Sequence, residues 1–183
     1  MKSTFVNILL TGALAGFAAN SIAADTNAKT TYKNAKESAE QTYKTAKANC
    51  DSLSGNAKDV CVEEAKAARV HAVAEAEVQY KNTPRARNSA RKDMAEADYK
   101  VAKAKCDAKS GNEKDVCIKE AKAALVTAKA DAKADKKTAE ARIDAKEDKN
   151  DANYRAEVEK CDSLAGPSRD ACVASAKSKF GKS

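Results

Sequence analysis

Six cysteines fall into three pairs of one spacing: Cys50 with Cys61, Cys106 with Cys117, and Cys161 with Cys172. Paired thiols bind a metal, cycle through redox states or close a structural disulfide. Zinc ligation uses closely spaced cysteines or histidine partners, but every pair here is Cys-x10-Cys and His71 is the only histidine. The Cys-x-x-Cys spacing of thiol oxidoreductases is also lacking. An even number of cysteines in an exported chain points instead to structural bonds. The predicted pairing is Cys50 to Cys61, Cys106 to Cys117 and Cys161 to Cys172.

Other groups capable of chemistry do not assemble into a recognisable active site. His71 lies two residues after Arg69 in a charged stretch, which suits a solvated or rim position better than a catalytic one. An Asp follows the first cysteine of each pair (Asp51, Asp107, Asp162), and a turn or surface role accounts for its recurrence. A Tyr stands seven residues before each first cysteine (Tyr43, Tyr99, Tyr154). These rings are expected to pack over an Ala-lined groove, the alternative being a ligand platform. The densest basic run is Arg85, Arg87, Arg91 and Lys92. It opens a predicted helix, where positive charge opposes the macrodipole, and is the candidate contact for an anionic surface such as lipopolysaccharide or acidic lipid. The alternative is a plain solvated face. No catalytic residue, metal ligand or cofactor is assigned.

The elements that position these groups read as helices. The cysteine units recur at a period of 55 to 56 residues, each with a basic residue and Asp shortly before its second cysteine and a β-branched residue after it (Val62, Ile118, Val173). Such agreement marks internal duplication. Ahead of each first cysteine the apolar positions keep helical spacing, as in Tyr32, Ala35, Ala39, Tyr43, Ala46 and Cys50. A Gly between the cysteines suits a helix C-terminus, and Asn56 or Asn112 after it suits an N-cap. Repeat three has Gly166-Pro167-Ser168 instead. Cysteines lying five to six residues either side of that Gly should face each other across an antiparallel pair.

Helices are expected at 27–53, 57–81, 84–108, 113–163 and 168–180. Asn82-Thr83-Pro84 marks a break or a kink, with Pro at a first helical position. Neither Gly nor Pro occurs between Cys117 and Cys161, so those residues can form one helix of ~65 Å, with fraying expected around 146–150. The predicted class is all-α: an elongated set of antiparallel helical hairpins or a bundle, with three Cys-x10-Cys disulfide-stapled turns. Independent hairpins on flexible connections are the alternative. The expected divisions are a signal peptide at 1–24, then hairpin repeats at 25–82, 83–140 and 141–183.

Composition limits what can hold these helices together. Beyond residue 24, Leu, Ile, Val, Met and Phe number only 17, and Ala supplies most remaining apolar groups. Each buried methyl removes little area from water, so the cysteines must compensate. The formal net charge is +7, with the signs interspersed as on a solvated helix surface, which argues against nucleic acid as a partner. Residues 1–24 read as a secretory signal peptide: Lys2, a mainly apolar stretch over 5–19, then Ser21-Ile22-Ala23-Ala24 for cleavage at Ala23 or Ala24. An uncleaved anchor is the rival, but the stretch falls short of the ~20 residues a bilayer requires. The mature chain is thus expected to be periplasmic, without a transmembrane segment.

The Ala, Lys, Asp and Glu-rich residues 122–149 resemble the long polar helix of TolA-type cell-envelope proteins. An eleven-residue echo, Thr31-Tyr32-Lys33-Asn34-Ala35-Lys36 against Thr42-Tyr43-Lys44-Thr45-Ala46-Lys47, resembles late-embryogenesis-abundant stress proteins. The cysteine hairpins have no counterpart in either pattern, and no functional residue is carried over. The first resemblance implies a place in the cell envelope. The expected function is a non-enzymatic structural or interaction protein of the bacterial envelope, with an envelope protein or anionic envelope polymer as partner. The alternative is a periplasmic stress-protective or holdase-like protein.

Overall fold

The structure, a computed structural model, describes residues 20–182, with side chains from residue 26 onward. Most of the expected signal peptide, residues 1–19, lies outside the described residues. Five helices follow in order: α1 (Asn20–Asn49), α2 (Gly55–Lys81), α3 (Pro84–Cys106), α4 (Gly111–Cys161) and α5 (Gly166–Phe180), with a tight turn, Cys50–Ser52, after α1. Among the described residues there is no strand, and no helix is long and apolar enough to cross a membrane.

All three expected disulfides are present, each joining Cα atoms 5.6 to 5.7 Å apart, within the range such bonds prefer. Three disulfides suit an oxidising compartment outside the cytoplasm. Their first cysteines are also the largest fully buried side chains among the described residues. The buried apolar set is Ala39, Ala65, Ala67, Ala74, Ala86, Ala90, Ala95, Ala97, Ala104, Ala132, Ala176, the three cysteines Cys50, Cys106 and Cys161, and one larger aliphatic, Leu125. Each bond closes a loop worth roughly 3 kcal/mol of chain entropy, several times what one buried methyl contributes at ~0.8 kcal/mol.

Each helix packs only on its neighbours in the chain: α1 on α2, α2 on α3, α3 on α4 and α4 on α5. A closed bundle would bring α1 against α3 or α4. Here the antiparallel helices form a serpentine layer, and the first two hairpins are joined through α2 and α3 rather than separate. On α3, Ala86, Ala90, Ala97 and Ala104 lie on one stripe of the helix, while Ala95 and Cys106, eleven residues apart, lie on another. The second stripe meets α4 through the Cys106 to Cys117 bond. On the other side, Asn56 donates to the Ala104 carbonyl at 2.7 Å and His71 bonds Asp98 at 2.8 Å, tying α2 to α3.

The stapled turns correct one local expectation. Gly55, Gly111 and Gly166 do not end the first helix of each hairpin. Each begins the second helix with φ between +52° and +56°, after a residue in extended conformation (Ser54, Ser110 or Ala165). The chain turns back through the extended residue, and a left-handed position then redirects it into the helix, which an L side chain resists. Asn56 therefore lies inside α2 and bonds to α3 instead of capping its own helix. The break at Asn82-Thr83-Pro84 is a complete reversal: Asn82 adopts φ 43°, and the Thr83 hydroxyl accepts from the Ala86 amide at 3.1 Å.

The long helix is continuous over its 51 residues, about 76 Å, and passes residues 140 and 141 without a break. Residues 146–150 are helical rather than frayed, but every residue from 141 to 149 is exposed.

Two outcomes test this account by urea unfolding of the oxidised chain. Replacing both Cys106 and Cys117 by Ser is expected to cost about 3 kcal/mol. Gly111→Ala, which meets no atom within 4 Å, is expected to cost roughly 1 to 2 kcal/mol from its left-handed backbone alone.

Candidate functional site

The candidate anionic contact, Arg85, Arg87, Arg91 and Lys92, occupies the first turns of α3, whose opening turn holds no acid. Helical periodicity splits the four. Arg87 and Arg91, four residues apart, share one face, and Arg85 and Lys92, seven apart, share another. Arg87 donates to the Asn82 side-chain carbonyl at 3.0 Å, and Arg91 pairs with Asp135 of α4. Arg85 is exposed and Lys92 half-buried.

The α3 to α4 register then supplies basic residues that the linear run did not reveal. Lys136 and Arg142 of α4 line the same groove as Arg87 and Arg91, with Asn88 and Thr138 between them, in a volume of about 360 Å³. Lys136 also pairs with Glu140 at 3.4 Å, and the Asn88 side-chain oxygen is buried without a hydrogen-bond partner. Four cations from two helices face one open groove whose only lining carboxylate is Asp135. The set can bind an anionic group by charge and by guanidinium hydrogen bonds. Arg85 and Lys92 are not part of it.

The remaining chemical candidates sit apart from this groove. His71 is half-buried, with Asp98 as its partner across α2 and α3. The three repeated tyrosines are half-buried on three different helix pairs, so they form no common platform. Tyr43 lies under the Arg69 guanidinium at 4.9 Å, Tyr99 under the Lys122 ammonium at 5.5 Å, and Tyr154 meets the edge of Phe180 at 6.2 Å. The position opposite these rings, eight residues after the second cysteine, holds Arg69 and Phe180 in repeats one and three and the buried Leu125 in repeat two. A further ring pair, Tyr32 stacked on Tyr80 at 5.1 Å, clasps α1 to the end of α2. Among the described residues no group of three His, Cys, Asp or Glu side chains is placed to hold a metal.

The recurrent Asp has a definite partner. Asp51 pairs with Lys58 at 2.9 Å, Asp107 with Lys114 at 2.8 Å and Asp162 with Arg169 at 2.8 Å, always seven residues apart across the stapled turn. Hydrogen bonds from Lys58 and Lys114 hold the Asp51 and Asp107 carboxyls below their usual range, and Asp162 holds the Arg169 guanidinium above its own. Lys129 does the same to Glu96, and Lys160 with Lys179 to Glu157. A carboxyl whose folded pKa is depressed stabilises the fold above its unfolded pKa and loses that contribution as pH falls through the folded value. The urea midpoint of the oxidised chain should therefore fall as pH drops below about 4. The fall should be smaller in high salt, where these exposed pairs are already screened.

No protein-family model matches the chain, and neither a curated protein nor a solved structure is significantly similar to it.

Proposed function

We propose that the chain is a non-enzymatic structural or interaction protein of the bacterial envelope space, which engages an anionic envelope polymer through the groove of Arg87, Arg91, Lys136 and Arg142. The convergence of these four cations from α3 and α4 on one open groove carries the reading. Three structural disulfides support the compartment, since such bonds persist outside the reducing cytoplasm. The export-type first 24 residues and the TolA-like composition of 122–149 favour the bacterial periplasm in particular. A stapled helical layer joined by one long helix to a stapled hairpin suits a scaffold that presents surfaces.

Binding of the mature chain to vesicles with and without lipopolysaccharide tests the groove. Binding is expected only to the anionic vesicles and should weaken as salt is raised. Arg87→Ala with Arg142→Ala should lose about 1 kcal/mol per residue, whereas Arg85→Ala with Lys92→Ala should lose less. Equal binding to neutral vesicles, or equal losses in the two pairs, removes the groove from the reading. Crosslinking of the tagged protein in intact cells tests the wider role: a reproducible envelope partner is expected, and a partnerless monomer contradicts it.

A further inference from the structure

The middle of α4, between the parts covered by α3 and by α5, has no helix beside it. Upstream, the α3 groove reaches as far as Arg142, where Pro84 begins α3. Downstream, α5 returns only as far as Asn150 and Asp151: Asn150 donates to the Phe180 carbonyl at 2.9 Å, and Lys182 pairs with Asp151. Residues 143–149, about 10 Å of helix, lie between the two. Every residue from 141 to 149 is exposed, including Ile143 at 48%.

Local charge makes this stretch weaker still. Side chains three or four residues apart are neighbours on a helix, and like charges there destabilise it. Between residues 140 and 151 the charged neighbours at these spacings are Glu140 with Asp144, Arg142 with Lys146, Asp144 with Glu147 and with Asp148, Lys146 with Lys149, and Asp151 with Glu147 and with Asp148. All seven pairs are of like sign. Among the described residues, none of the six charged side chains from Arg142 to Lys149 is in an ion pair. Elsewhere on the same helix, opposite charges are supplied: Lys136 by Glu140, Lys129 by Glu96 of α3, Asp135 by Arg91 of α3, and Lys160 by Glu157. Helical propensity from Ala, Lys, Glu and Arg keeps the segment helical, with no buried side chain to add to it.

We propose that residues 143–149 are a hinge: a like-charged helical segment that opens locally and lets the stapled hairpin of α4 and α5 reorient against the layer formed by α1 to α4. The segment begins just beyond Arg142, the last residue of the groove, and its opening is tested on the chain without any groove ligand. Each side remains intact during it, because the Cys106 to Cys117 and Cys161 to Cys172 bonds and the Tyr154 to Phe180 contact all lie outside the segment.

Hydrogen exchange on the oxidised mature chain tests the opening. Amides of 143–149 are expected to exchange at least about tenfold faster than those of 118–132, and raising the salt should slow them by screening the repulsion. The charge-conserving swap Lys146→Glu with Asp148→Lys turns four of the seven like pairs into opposite ones. It should slow the segment on the order of tenfold and leave 118–132 unchanged. Small-angle scattering should require a range of hairpin orientations for the native chain and a narrower range for the swapped one. A native segment as protected as its flanks, an exchange rate unmoved by the swap, or a native scattering curve fitted by one straight arrangement overturns the hinge.

Discussion

An alanine methyl buries so little surface that helices packed through it gain little from any one contact. Among the described residues the only side chains with less than 2% exposure that exceed a methyl in size are Cys50, Cys106 and Cys161. The disulfide is therefore the constraint on which the rest depends. It fixes the register of each hairpin, and that register sets each tyrosine opposite its partner and each turn Asp opposite its base. Where no staple exists, between α2 and α3, the reversal at Asn82 and Thr83 and the polar ties of Asn56 and His71 do the same task. The chain uses covalent and directional bonds where a conventional domain would use bulk.

That economy explains which features could be read from the sequence. Cysteine spacing, helical periodicity and the absence of Gly or Pro from 118–160 are one-dimensional signals, and they located the helices, the staples and the long α4. The turn glycine is a different case. A Gly between two helices suits the end of the first as well as the start of the second, and only its backbone angle distinguishes them. The pairs of Asp51 with Lys58 and their two counterparts were visible as recurrent residue types, but their contact depends on how the turn folds back.

The basic groove divides along the same line. That Arg87 and Arg91 part company with Arg85 and Lys92 follows from the helical period alone. That Lys136 and Arg142 join them does not, because it depends on the offset between α3 and α4, which the staple at Cys106 and Cys117 sets from 15 to 25 residues away. The clasp of Tyr32 on Tyr80 was similarly concealed, as Tyr80 has no counterpart in the other repeats. Residues 146–150 were recognisable as offering nothing to bury. Whether such a stretch is helical or frayed depends on propensity against repulsion, a small difference that patterning does not resolve.

The two sulfurs of each staple are unequally placed. Cys50, Cys106 and Cys161 are at most 1% exposed, whereas Cys61, Cys117 and Cys172 are half-buried. An attacking thiolate can approach only the outer sulfur, and exchange there must expel the inner one as an anion. That anion would form at a buried position, where an unpaired charge is costly and departure is unfavourable. Reagents that shuffle disulfides thus meet three bonds whose accessible side leads to an unfavourable departure. Their persistence in a thiol-containing medium is governed by the rate of exchange as well as by the stability of the folded chain.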